Sequence, residues 1–305
     1  MAPDTTQATH LGGGHPGPGG GHPGTSSDAL RSHYDIGTDF FGLWLDPSLT
    51  YSCALYEDGD TGDAAGFLKA QLRKLDFHID AAHAAGADRV LDIGCGWGSM
   101  MRRLADDRGV GHVTGMTMTE AHRTHVDALG NPKLAVALTP WAGFEPTAPY
   151  DAIVSLEAFE HFARLTSTED EKRAGYRAFF ERAHNWLKPG GRMSIQTIVY
   201  GTATKADFST FCATEVFPDS DLPRLHEVIE ASDRLFEVER LRMDRQMYVR
   251  TFQSWLDGLR ANRGRAEAIV GADIVRRFEN YCGVFMIGFH TGRMNLARIS
   301  FRKLG

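Results

Sequence analysis

The stretch VLDIGCGWGS, Val90 to Ser99, constrains the fold more than any other part of the chain. Val90, Leu91 and Ile93 form a short apolar run that reads as a buried strand. Gly94, Gly96 and Gly98 follow at once and read as a tight turn. Turns of this kind, placed after the first strand of an open parallel sheet, hold ligands beyond the carboxyl ends of the strands.

The rest of the chain repeats the alternation. RVLDIG (89–94), HVTGMT (112–117), KLAVAL (133–138), YDAIVSL (150–156) and GRMSIQTIVY (191–200) read as strands separated by helical stretches. That pattern predicts an α/β fold with a mostly parallel, doubly wound sheet and helices on both faces. LFEVERLRM (235–243) and LARISFRK (296–303) alternate apolar and polar residues and suit a closing antiparallel pair, for seven strands in all. A helix is expected over 64–86, ending at Gly86, and helical patterns run from Thr251 to Gly288.

Composition narrows the class. The chain has 305 residues and a net charge of −6, so its surface as a whole does not attract nucleic acid or an anionic membrane. No apolar run reaches the length of a membrane span. Cys53, Cys95, Cys212 and Cys282 show neither close pairing nor metal-ligand spacing, which reads as reduced thiols in the cytoplasm with no metal site. Residues 1–25 contain LGGGHPGPGGGHPG, too poor in apolar side chains to offset ordering entropy, and read as a disordered tail. The tail lacks a basic n-region and an apolar h-region, so it is not expected to be a secretory signal. His10, His15 and His22 leave loose metal binding as an alternative to a plain leader. Residues 26–305 are expected to form a single domain: a helical cap over about 26–85, a cofactor-binding core over about 86–200, and a substrate cap with the C-terminal part from about 201 to 305.

The spacing of the glycines selects the ligand. It is G-x-G-x-G, whereas a pyrophosphate needs G-x-G-x-x-G to reach a helix N-terminus. Asp92, just before the first glycine, disfavours a diphosphate and suits a cation. S-adenosylmethionine carries an ammonium and a sulfonium and no phosphate, so it fits better than a dinucleotide. A ligand-free strand–helix turn is the alternative. After the second strand, Thr117 and Thr119, with Glu120 one step on, stand where an acid usually grips ribose hydroxyls.

Longer motifs carry a family resemblance. HYDIGTDFFGLWLDPSLTYSCALYE (33–57), LDIGCGWG, GMTMTE, SLEAFEHF (155–162), TEVFPDSDLP (214–223) and YVRTFQSWLDGLRANR (248–263) occur in order. Over about Ser32 to the C-terminus the chain resembles the cyclopropane fatty acid and mycolic acid cyclopropane synthases, methyltransferases of the Rossmann-like class I fold. The resemblance implies that Tyr51, Ser52, Gly94, Gly96, Thr117 and Met118 contact the methyl donor, with Trp141 over the adenine. His122 stands where the family often has a Gln.

The resemblance also implies the chemistry. An alkene takes the methyl group and leaves a carbocation that aromatic faces stabilise. Phe40, Phe41, Trp44, Tyr51, Tyr248, Phe285 and Phe289 are the aromatic candidates. A base then removes a proton; in the family that base is a bound bicarbonate, held by a Cys, a Glu, a His, a Tyr and a backbone position. Cys53, Glu160 and Tyr248 match, and Ile198 matches the backbone position. Gln196 replaces the His. His161 belongs to the FEH motif and does not substitute for it. Glu157, three residues before Glu160, adds a second carboxylate that would share its face on a helix and raise one pKa by repulsion. The alternative role for Glu157 is a hydrogen bond to the donor or to a helix end. Either bicarbonate binds weakly through the remaining groups, or a carboxylate is the base, and the second is the expectation.

Two further departures stand out. LTSTEDEKRAG (165–175) reads as a charged insertion before a helix, and the stretch from Gly201 to Thr214 reads as a short lid. The expectation is therefore an S-adenosylmethionine-dependent methyltransferase acting on an apolar carbon of a lipid or specialised metabolite. N- or O-methylation of a small metabolite is the enzymatic alternative, and a cofactor-binding scaffold without catalysis the non-enzymatic one.

Overall fold

A computed structural model describes residues 36–207 and 220–305. The expectations for the 1–25 tail, for Cys212 and for much of the 201–214 stretch lie outside the described residues. Seven strands form one sheet: β1 (Arg89–Ile93), β2 (His112–Thr117), β3 (Leu134–Leu138), β4 (Tyr150–Leu156), β5 (Leu187–Tyr200), β6 (Phe236–Met243) and β7 (Met294–Lys303). Their order is β3-β2-β1-β4-β5-β7-β6. The first five pair in parallel, and β7 runs antiparallel between β5 and β6.

Side chains alternate across the strands to feed two cores. Val90, Val113, Ala152 and Val154 meet Leu75 and Ile79 of α2 (Ala64–Ala81), Met100 and Met101 of α3 (Ser99–Arg102) and Val126 of α4 (Glu120–Ala128). Leu91, Ile93 and Ile153 point the other way, toward Phe179 and Phe180 of α5 (Glu169–Trp186) and Val228 of α6 (Leu225–Ser232). A third, aromatic core forms the cap. It gathers Phe40 and Phe41 of α1 (Thr38–Phe41), Tyr248, Phe252 and Trp255 of α7 (Arg245–Ala261), and Phe278, Tyr281 and Phe285 of α9 (Ala272–His290), with α8 (Arg263–Val270) between them.

Several boundaries differ from the sequence reading for local reasons. Helix α2 starts when Asp63 accepts the Gly66 N–H at 2.8 Å, and it stops at Ala81 rather than Gly86 because His83 turns left-handed at φ 51°. Strand β5 begins at Leu187: Tyr150 pairs with Leu187 but Ala152 with Arg192, so the KPGG turn is an irregularity within the strand. The charged 165–175 stretch runs into α5 instead of ending before it. Thr168 caps α5 by accepting the Glu171 N–H while Glu171 accepts the Thr168 N–H at 2.9 Å, so the acids form the helix's first turn. Helix α7 begins at Arg245, ahead of the expected Thr251.

Candidate functional site

Strand β1 has β2 on one side and β4 on the other, so the chain leaves it in opposite directions and a crevice opens at the carboxyl ends. The glycine turn lies across that crevice. The N–H groups of Gly94 and Cys95 both donate to the Met116 carbonyl, at 3.0 and 2.9 Å. Gly94, Gly96 and Gly98 all have positive φ, at 81°, 52° and 82°. Their duties differ. A Cβ on Gly94 would lie 2.5 Å from the Ala158 Cβ, and one on Gly98 would lie 2.8 Å from Val126 Cγ2. A Cβ on Gly96 would enter open space. Gly94 and Gly96 line the cavity; Gly98 does not, and instead lets α4 pack close.

The other residues expected at the cofactor converge on this cavity: Tyr51 and Ser52 from the segment before α2, Thr117 and Met118 from the end of β2, His122 from α4, and Trp141 after β3. Asp92 lines it too. That carboxyl is 2% exposed, its Oδ2 has no hydrogen-bond partner among the described residues, and burial pushes it up to about 7. An acceptor left unsatisfied beside a glycine cradle fits a ligand that brings N–H donors and positive charge. Burial pushes His122 down to about 3, so its ring is neutral; it sits 3.2 Å from the Thr117 hydroxyl and edge-on to Trp97. Among the described residues no three or more His, Cys, Asp or Glu side chains are grouped so as to hold a metal ion.

A second, smaller cavity adjoins the first and shares Tyr51, Glu157 and His161 with it. Its walls include Tyr248, Trp255, Tyr281 and Phe285, and both Glu157 and Glu160 reach it. The spacing predicts that the two carboxylates share a helix face, and they do not meet on one. Glu157 is left-handed at φ 57°, and Glu160 follows in a 3-10 turn, Phe159–His161. The turn brings them together in place of a helix.

Glu157 is the hub of the site. Its Oε1 accepts the Cys53 backbone N–H at 2.9 Å and the Gln196 Nε2–H at 2.8 Å; its Oε2 accepts the Tyr248 hydroxyl at 2.5 Å. Glu160 accepts the Ile198 N–H through Oε1, and its Oε2 has no hydrogen-bond partner among the described residues. Burial raises both carboxyls, and repulsion from Glu157 helps to lift Glu160 to about 8. The three donors around Glu157 favour its ionised form, so Glu160 is the partner that keeps a proton. Burial pushes the Cys53 thiol up to about 12, so Cys53 serves the site through its N–H rather than as a thiolate. Cys53 and Gln196 line neither cavity; they stand behind Glu157. The donors at the positions matched to a bicarbonate site are thus engaged by carboxylates, Cys53, Gln196 and Tyr248 on Glu157 and Ile198 on Glu160.

Of the expected aromatic candidates, Tyr51, Tyr248 and Phe285 line the second cavity, whereas Phe40, Phe41, Trp44 and Phe289 are core. Trp255 and Tyr281 were not singled out. Trp255 lies seven residues after Tyr248, and Tyr281 four before Phe285, so helical spacing marks both. Three buried polar residues behind the site, Lys74, His78 and Arg298, carried no such signal. Lys74 donates to the Ser52 hydroxyl at 2.7 Å, and burial brings it down to about 8.

This sheet order, the glycine cradle and the acid beside it define an S-adenosylmethionine-dependent methyltransferase of the class I fold. The mycolic acid cyclopropane synthetase family profile matches residues 23–299, and the chain belongs to that family. Cyclopropane mycolic acid synthase 2 of Mycobacterium bovis is 35% identical over 273 residues, covering 83% of this chain and 87% of the relative. Hydroxymycolate synthase MmaA4 of Mycobacterium tuberculosis is 31% identical over 275 residues, covering 84% and 86%. The crystal structure of mycolic acid cyclopropane synthase CmaA1 complexed with SAH and CTAB superposes with a TM-score of 0.82 at 31% identity, covering 92% of this chain and 99% of that one.

Proposed function

We propose that the enzyme methylates an alkene carbon in an apolar acceptor, a lipid acyl chain or a specialised metabolite, and that Glu157 takes the proton the product must lose. When bound, S-adenosylmethionine supplies an activated methyl group. Tyr51, Ser52, Gly94, Gly96, Thr117, Met118, His122 and Trp141 would hold it, and Asp92 offers the negative charge.

The observation that carries this reading is the place of Glu157. Its carboxyl stands where the cofactor cavity meets an aromatic pocket, with three donors that favour its ionised form. Addition of a methyl group uses the alkene's π electrons and leaves a positive charge on the neighbouring carbon. The aromatic walls of the second cavity favour that charge without trapping it. The protonated Cys53 thiol lies behind Glu157, outside both cavities, and does not compete as a nucleophile. If the proton leaves the new methyl group, its C–H electrons close a cyclopropane; if it leaves elsewhere, a methyl-branched alkene remains. Glu160 keeps its own proton, which leaves Glu157 to serve as the base. The curated relatives bear names of mycolic acid synthases, which supports a lipid acceptor. No helix among the described residues is long and apolar enough to cross a membrane. The cytoplasm suits the free Cys53, Cys95 and Cys282 thiols.

The test is incubation with S-adenosylmethionine carrying a labelled methyl group and a panel of cis-monounsaturated phospholipid vesicles, unsaturated acyl thioesters, amines and phenols. Label should enter the alkene acceptors, and carbon NMR of the product separates a ring from a branch. Transfer confined to nitrogen or oxygen would overturn the reading.

A further inference from the structure

We propose that Arg298 is the positioning residue of this site: its guanidinium dictates which way the Gln196 amide points and pins the Cys53 backbone, and so keeps the Glu157 carboxylate ringed by donors. The inference rests on Glu157 acting as an ionised carboxylate.

Arg298 is the cross-strand partner of Gln196, on β7 against β5, and is completely buried. Its Nε–H donates to Gln196 Oε1 at 2.8 Å. A guanidinium can only donate, so the amide oxygen must face it and the amide N–H must face away. Facing away means facing Glu157 Oε1 at 2.8 Å and the Cys53 carbonyl at 3.2 Å. His78 reinforces the same choice. Its Nε2 lies 3.2 Å from Gln196 Oε1, and its Nδ1 lies 2.7 Å from the Ser194 hydroxyl. Burial holds this imidazole well below its ordinary pKa, so one ring nitrogen carries the proton, and an amide oxygen requires that it be Nε2.

The remaining guanidinium nitrogens extend the control. One end donates to the Ala54 carbonyl at 3.0 Å and the Cys53 carbonyl at 3.3 Å, in the segment whose Cys53 N–H serves Glu157. The other end is hydrogen-bonded to Asp244, which immediately precedes α7, the helix that carries Tyr248. One buried side chain therefore holds two of the residues that donate to Glu157, Gln196 and Cys53, and the residue that opens the helix bearing the third. Fork geometry makes this possible; a lysine ammonium offers no such fixed spread.

Several other groups bear on Glu157. Cys53 and Lys74 face it from the segment before α2 and from α2 itself, Tyr248 from α7, Tyr281 from α9 and Glu160 from its own turn. Lys74 stabilises the ionised form, and Glu160 opposes it once ionised. Asp244 carries the charge opposite to Arg298 and shares it with the exposed Arg242, and the route by which Arg298 acts on Glu157 is hydrogen-bond direction through Gln196.

The test needs no acceptor. S-adenosylmethionine has a sulfonium charge that S-adenosylhomocysteine lacks, so the ratio of their dissociation constants across pH reports carboxylate ionisation beside the cleft. In the parent protein the preference for the sulfonium should fall as pH is lowered, and Glu157→Gln should remove one step of that titration. If it does not, the reading of Glu157 fails, independently of Arg298. In the double variant Arg298→Met, Asp244→Leu, which leaves no buried charge unpaired, the Glu157 step should move up by about one pH unit or more, the scale on which a carboxylate responds to lost partners. Gln196→Met, which leaves the Arg298–Asp244 pair intact, should move it in the same direction. Arg298→Lys covers the case in which the double variant does not fold, and a smaller upward move is expected of it. A Glu157 step that stays at the parent's pH in a folded Arg298 variant overturns the proposal, whatever Gln196→Met does.

Discussion

The Tyr248 hydroxyl donates to Glu157 Oε2 across 2.5 Å, joining helix α7 to the turn after β4 at a single carboxylate. Stacking on Phe252, with ring centroids 4.7 Å apart, holds the phenol in place. Tyr248→Phe removes one charge-assisted donor, worth about 1.5–3 kcal/mol. Turnover should fall roughly ten- to a hundredfold on that scale, while S-adenosylhomocysteine binding by calorimetry stays unchanged, because Tyr248 lies outside the cofactor cavity. A loss of cofactor affinity equal to the loss of turnover would contradict this assignment.

Because Glu157 already takes the donors of Cys53, Gln196 and Tyr248, added bicarbonate should leave the parent's turnover within about twofold in carbonate-depleted buffer, with no acid–base group missing. Glu157→Gly should lower turnover by about 10², the scale of a lost acid–base group. In that variant, bicarbonate or formate should restore part of the rate by occupying the freed donors. A parent enzyme that demands bicarbonate would remove Glu157 from the role of base.

The glycine turn offers a paired test. Gly96→Val places a side chain in the open cavity and should abolish the thermal shift given by S-adenosylhomocysteine. Gly98→Ala instead strikes Val126 at a backbone φ of 82°, and should cost about 1–3 kcal/mol of stability while retaining ligand binding. Melting curves with and without ligand separate the two. Loss of binding in both variants, with Gly98→Ala still folded, would mean that the turn acts as one rigid unit.

Glu160 gives the fold a signature in its pH dependence. Its folded pKa is raised from 4.5 to about 8, so between those values the native state keeps a proton that the unfolded state has lost. Stability contributed by that proton is fully present below the unfolded value and declines as pH rises toward the folded one. Glu160→Gln removes the slope, so its melting temperature relative to the parent should be higher at about pH 8 than at about pH 5. A difference that stays constant across this range would show that Glu160 does not hold the proton.

The sheet was legible because its parallel strands are short apolar runs and its antiparallel pair alternates apolar with polar residues; all seven segments read as strands are strands. Boundaries set by caps were less visible. The acidic residues expected before α5 form its first turn, where Thr168 and Glu171 cap each other. Within the site, residues that line a cavity had a motif or a helical spacing to betray them. Arg298 and His78 had neither. Each is polar and buried by virtue of partners far away in the chain, Gln196 in both cases, and no local pattern records a contact across 102 or 118 positions. The carboxylate pair was foreseen in the right place for the wrong reason, since a left-handed residue and a 3-10 turn do what a helix was expected to do.

The left-handed backbone of Glu157, at φ 57°, has a consequence for anyone who tries to improve this enzyme. A residue with a long side chain is uncomfortable in that conformation, and glycine is not. Glu157 is also a buried acid whose charge the fold must support. Replacing it with glycine relieves both burdens but strands the buried Cys53, Gln196 and Tyr248 donors, so backbone strain and hydrogen bonding pull this position in opposite directions. A library ranked by melting temperature alone would weigh the relieved backbone against those stranded donors and be blind to the chemistry, so any glycine it promoted here would have discarded its base.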